Sequence, residues 1–183
     1  MTINFNDWQS FLKSKEINLV YYTIFMFSFS ESMISIFIPI YLFEQNYAIY
    51  SIVFFYFLIS LYFVVFSIIG AKAVARLGVK RSMFVSMPLY IIFYLGLHFI
   101  NQFLFFILPL FLSLGMIFFN YGFHINYIEH SRKMKRGREV SFIQIFMTLG
   151  MVFAPMVSGF IIAFFSYWTM FITGSVIMLI GAI

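Results

Sequence analysis

Glu31 is the single ionisable residue within a long apolar run that begins at Leu19. Ser28, Glu31, Ser32 and Ser35 follow the i, i+3, i+4, i+7 spacing that places them on one face of a helix. A carboxyl group inside a membrane-length segment is costly and normally faces a cavity or a partner. The chemistry open to it is to carry a proton or to hold a cationic solute. The competing reading is a neutral Glu31 bonded to nearby hydroxyls as packing glue. A second set is Asn120 and His124, spaced i, i+4, with Tyr127 at the next i+3. Histidine changes charge near neutral pH and pairs with carboxylates. Gln144 and Thr148, also i, i+4, form a weaker third set. Glu31, Asn120 and His124 are expected to face one common pathway, which Gln144 joins.

Other chemistry is not encoded. There is no HExxH, no Gly-x-Ser-x-Gly, no P-loop and no cluster of metal-binding acids. Cysteine is absent, which removes thiolate ligands and thiol nucleophiles. Neither an enzymatic reaction nor a metal or cofactor is expected.

The elements that must position these residues are membrane helices. The chain has 183 residues, of which 63% are hydrophobic and 9% charged. Soluble domains carry roughly 25% charged residues. With 29 Phe and 12 Tyr, too little polar surface remains to cover a water-soluble globule. The expected fold class is an all-α membrane protein. Crossing the hydrocarbon core takes roughly 20 apolar residues. Segments 19–42, 48–70, 82–100, 103–127 and 140–165 meet that length. A sixth begins at Trp168 and reaches only Ile183, which predicts a chain that continues further.

Charge orients these spans. The eleven basic residues all fall at residues 13–15, 72–81 and 132–138, so six alternating spans put every one of them on one side. By the positive-inside rule that side is cytoplasmic, and the N-terminus lies there. The topology already explains the run from Arg132 to Arg138 and the net charge of +5, so no nucleic-acid partner is expected. Residues 1–18 are polar with Trp8, Phe11 and Leu12 at i, i+3, i+4, and read as a helix lying at the cytoplasmic interface. The stretch Gly70–Arg81 reads as a short basic loop in which Gly78 makes a tight turn.

Four motifs resemble the major facilitator superfamily. Arg76-Leu77-Gly78-Val79-Lys80-Arg81 is similar to the second half of its signature Gly-x-x-x-Asp-Arg-x-Gly-Arg-Arg, with Ala75 where the family carries Asp. Gly150, Ala154, Pro155, Ser158 and Gly159 resemble its helix-five pattern Gly-x-x-x-Gly-Pro-x-x-Gly-Gly. Tyr167-Trp168-Thr169-Met170-Phe171 resembles the start of helix six, and Tyr121 to His124 followed by Arg136-Gly137-Arg138-Glu139 resembles the end of helix four and the central turn of certain bacterial members. Together these pieces span about residues 70–171.

The resemblance implies six transmembrane helices arranged as a 3+3 inverted repeat, the N-terminal half of a transporter fold. It implies a secondary active transporter of a small solute working by alternating access; Glu31, by its own chemistry, is open to proton coupling or to holding a cationic solute. The site would lie on helices one and four, with Ser28, Ser35, Asn120, His124 and Gln144 beside Glu31. Gly78, Arg76, Lys80 and Arg81 would form a gating loop, and Gly150, Ala154, Pro155 and Gly159 a packing motif. Ala75 removes the acidic partner that the family's gate uses. The implied partners are membrane lipid, a small-molecule substrate, and a C-terminal half or a second copy. The implied location is the bacterial cytoplasmic (inner) membrane. The alternative is a non-transporting polytopic protein, an assembly or scaffold subunit.

Overall fold

The computed structural model describes residues 15–130 and 136–181. The interfacial helix expected at residues 1–18 falls outside this range apart from its last four residues, as do Arg132, Lys133 and Lys135. Among the described residues there are helices and no strands. They are α1 (Lys15–Ser35), α2 (Ile38–Glu44), α3 (Ile49–Leu77), α4 (Val79–His98), α5 (Leu104–His130), α6 (Arg136–Phe164) and α7 (Tyr167–Gly181). The α1–α2 pair forms one interrupted stretch, so the described residues hold six helices when the pair is counted once.

Four stretches are long and apolar enough to cross a membrane: Leu19–Glu44, Ile49–Leu77, Leu104–Ile128 and Glu139–Phe164. The fifteen residues of α7 are apolar but shorter. Lys80, Arg81, Ser82, Ser86, Pro88 and Gly96 dilute α4, which nonetheless buries Tyr90, Phe93, Tyr94 and Leu97.

Two boundaries differ from the sequence reading. The basic stretch 70–81 is not an open loop: α3 runs on to Leu77 and α4 starts at Val79, with Gly78 alone between them. Ala71, Ala73 and Ala75 are strong helix formers, and Lys72 and Arg76 tolerate a helix as well. Gly78 makes the turn at φ 81° and ψ 160°, a region open essentially to glycine. Gly78→Ala should therefore cost about 1–3 kcal/mol. The expected readout is a lower thermal-denaturation midpoint in detergent; an unchanged midpoint would mean that the turn relaxes without strain.

The second difference is the break in the first span. Pro39 stands in the first turn of α2 and lacks the N–H that an uninterrupted helix would offer to the carbonyl four residues earlier. Residues 36 and 37 form a turn instead.

Packing is selective. α1 lies against α6 and α7, α5 lies against α4 and α3, and α4 meets α7. A buried serine ties each of two pairs: Ser158 Oγ of α6 donates to Met33 O at 2.7 Å, and Ser113 Oγ of α5 donates to Ile59 O at 2.7 Å. The small residues Gly150, Ala154 and Ser158 are all buried and form the smooth face that brings α6 onto α1. Gly159 is looser, since a methyl group there would meet only Phe37 Cζ at 3.8 Å.

Candidate functional site

The site is built around α1. Its Met26 and Ile34 pack on Gly181 and Gly174 of α7, and Ser30 Oγ donates to Gly174 O at 2.7 Å. Its Phe25, Phe29 and Met33 backbone meets α6. Its Phe27 meets α4 and α5: the ring lies edge-on to Tyr90 and stacks on Phe119, with centroids 3.4 Å apart and planes at 5°. The helix spacing leaves Ser28, Glu31, Ser32 and Ser35 in the sector between these contacts. Ser28 and Ser32 are buried, and Glu31 and Ser35 are half-buried.

Glu31 stands one turn beyond Phe27, about 6 Å further along the axis. Two fully buried tyrosines of α4, Tyr90 and Tyr94, are close enough to interact with its charge. Ser30 flanks Tyr94, but its Oγ is already directed at Gly174 O, and the Tyr94 hydroxyl has no hydrogen-bond partner. The surroundings of the carboxyl group thus include two tyrosines of α4 and are not purely aliphatic.

Asn120 and His124 occupy the other side of the Phe27–Phe119 plate. α5 runs antiparallel to α1, so Asn120 lies roughly 7 Å from the level of Glu31 along the axis and His124 roughly 13 Å. Asn120 is half-buried, and His124 is exposed with its ring edge-on to Phe123. The structure thus does not bring these residues together with Glu31; a stacked aromatic pair separates them. Gln144 and Thr148 are exposed on the side of α6 turned away from the buried Gly150–Ser158 face, and do not join α1. Tyr127 is half-buried at the end of α5.

Arg76, Lys80 and Arg81 are exposed around Gly78, whose carbonyl accepts from Ser82 Oγ at 2.8 Å. Ala75, Leu77, Lys80, Arg81 and Ile125 border an open cleft of about 440 Å³ there. An acidic side chain in place of Ala75 would enter this cleft beside two cations. Pro155 is half-buried in α6. Glu139, read as a loop residue, is buried in the first turn of α6, and neither of its carboxyl oxygens has a hydrogen-bond partner among the described residues.

Several contributors escaped the sequence reading. Tyr56 of α3 donates to Ser35 O at 3.3 Å, and the hydroxyls of Ser67 and Tyr121 bond α3 to α5. Pro39 was the signal for the first, because a proline inside a span frees a carbonyl that something else must satisfy. The second had no signal, since one hydroxyl among 12 Tyr distinguishes nothing.

None of the curated proteins or solved structures compared matches the chain. A family profile described as Major Facilitator Superfamily matches residues 20–183. That range takes in all of the described helices beyond the first five residues of α1. A match so nearly complete, on an integral multi-pass membrane protein built of apolar helices, means that the chain belongs to the Major Facilitator Superfamily of membrane transporters.

Proposed function

We propose that the chain is the N-terminal six-helix half of a secondary active transporter that moves a small solute by alternating access, with Glu31 as its proton-coupling or cation-binding group. The observation that carries this reading is the family match over residues 20–183. The helix pairing supports a 3+3 inverted repeat: exchanging α1 with α5, α3 with α6 and α4 with α7 maps the main contacts onto one another. On this plan Glu31 lies between two closures. The Phe27–Phe119 plate stands on the side of the basic residues, and the α1–α2 break stands on the other.

The partner follows from what is left uncovered. The most apolar stretches of α3 and α6 are the least buried, 22% and 17%, against 44% for those of the first span and of α5. The pair α3 and α6 presents the faces that a C-terminal half, or a second copy, would cover. The basic residues 72–81 and 136–138 orient the N-terminus to the cytoplasm, in a bacterial inner membrane. Alternating access is tested at Asn120, which lies on the basic side of the aromatic plate. In the full-length protein, Asn120→Cys should react with membrane-impermeant thiol reagents from either face. Reaction from one face only would favour a non-transporting scaffold.

A further inference from the structure

The break in the first span leaves two carbonyls without their helical donors, and both lie within four residues of Glu31. Pro39 has no N–H, so Ser35 O loses its partner. The amide of Phe37 bonds Ile34 O at 3.0 Å, the tighter i−3 pattern, and so turns away from Met33 O. In hydrocarbon such groups must be satisfied by neighbouring helices. Both are, by hydroxyl groups from two different helices. Ser158 Oγ of α6 lies 2.7 Å from Met33 O in a fully buried contact, shorter than the 2.9 Å to the alternative acceptor Ala154 O of its own helix. Tyr56 of α3 takes Ser35 O at 3.3 Å in an exposed one.

We propose that Tyr56 and Ser158 are positioning residues of the Glu31 site: they hold the two carbonyls freed by Pro39, and the Tyr56 bond is the latch that releases when the mouth on the non-basic side opens. The asymmetry of the two bonds decides which side yields. A 2.7 Å bond shielded from solvent is a fixed joint. A 3.3 Å bond is beyond the ordinary O–H···O range and lies at an uncovered surface of the helices, so it is the weaker of the two. Opening there exposes Ser32 and Glu31, while the Ser158 joint keeps the base of the break on α6. This inference rests on reading Glu31 as a pathway residue, but its test needs no transported solute.

Cysteine is absent from these 183 residues, so no thiol in this half competes with an introduced one. In the full-length protein in lipid vesicles, Ser32→Cys is labelled with a membrane-impermeant maleimide from the non-basic side. Tyr56→Phe, which removes one hydroxyl from an exposed ring, should raise the labelling rate about fivefold, the shift expected from losing one hydrogen bond. In a Pro39→Ala background the restored N–H gives Ser35 O a second donor, so the carbonyl stays satisfied without the Tyr56 hydroxyl and Tyr56→Phe should have a smaller effect. Ser113→Ala, which removes a bond of the same kind away from the break, should leave the rate unchanged. Ser158→Ala should lower the thermal midpoint, and less so with Pro39→Ala. The proposal is overturned if Tyr56→Phe has no effect, if Pro39→Ala leaves that effect undiminished, if Ser113→Ala matches it, or if Ser32→Cys never reacts. The expected labelling rates alongside unaltered transport by Glu31→Gln would instead sink the Glu31 reading and leave the latch standing.

Discussion

Gly150→Leu should leave almost no folded protein. A Cβ atom at Gly150 would stand 2.9 Å from Phe29 N, 3.1 Å from Phe25 O and 3.3 Å from the Ser28 carbonyl carbon. These are backbone atoms of α1, so no rotamer change can make room. The helices would have to separate along the whole contact, which would also pull Ser158 away from Met33 O. Overpacking in a tight core costs typically 1–3 kcal/mol for smaller insertions, and a leucine against backbone should cost about 3 kcal/mol or more. That is a large share of the stability of an ordinary domain. Size-exclusion profiles of a fluorescent fusion should show the monodisperse peak lost for Gly150→Leu and weakened for Gly150→Ala. Gly159→Leu is the control, because only Phe37 Cζ comes within reach there. Equal behaviour of the two leucine variants would mean that α6 does not approach α1 as described.

Glu31→Gln should uncouple transport without unfolding the protein. The amide keeps the size and hydrogen-bonding capacity of the protonated acid, so Tyr90, Tyr94 and the flanking serines lose little. What disappears is the ability to carry a proton or to neutralise a cation. Hydrogen bonds to charged groups are worth about 1.5–3 kcal/mol, so gradient-driven accumulation should fall about tenfold or more. Its response to an imposed pH gradient should vanish. Glu31→Asp retains the carboxyl group on a shorter stem and should keep the pH response at a reduced rate. The checks are uptake and counterflow in vesicles carrying the full-length protein. Wild-type coupling and substrate affinity in Glu31→Gln would remove Glu31 from the mechanism and leave it as packing glue.

The spans were legible because an uninterrupted apolar run of membrane length can be housed almost nowhere but in lipid. Residues such as Ile49–Gly70 carry no charge at all, and α3 covers them. The ends were less legible. Charge marks where a chain leaves lipid, not where its helix stops, so Lys72 and Arg76 suggested a loop where alanines continue α3. The small-residue face of α6 was legible in full, since a four-residue repeat fixes one side of a helix and only a close neighbour fits it. The site was half legible. Glu31 and its serines could be placed on one stripe by spacing alone. Their relation to Asn120 and His124 depends on how far α5 slides past α1, and sequence spacing within each helix carries no information on that. The Phe27–Phe119 stack sets this register, and among 29 Phe no pair stands out beforehand. The carbonyl partners of the break were hidden for the same reason: Pro39 announces a vacancy, but tertiary packing chooses Tyr56 and Ser158 to fill it.

The central claim is that the passage beside Glu31 opens to each side of the membrane in turn. The most direct measurement is the reactivity of Asn120→Cys in the full-length protein toward an impermeant thiol reagent added to one face at a time. Ile128→Cys serves as a marker of the basic face and Phe103→Cys of the opposite one. The account predicts that Asn120→Cys reacts from both faces, while each marker reacts from its own face alone. Labelling of Asn120→Cys from the basic face only, with both markers behaving as assigned, would contradict it.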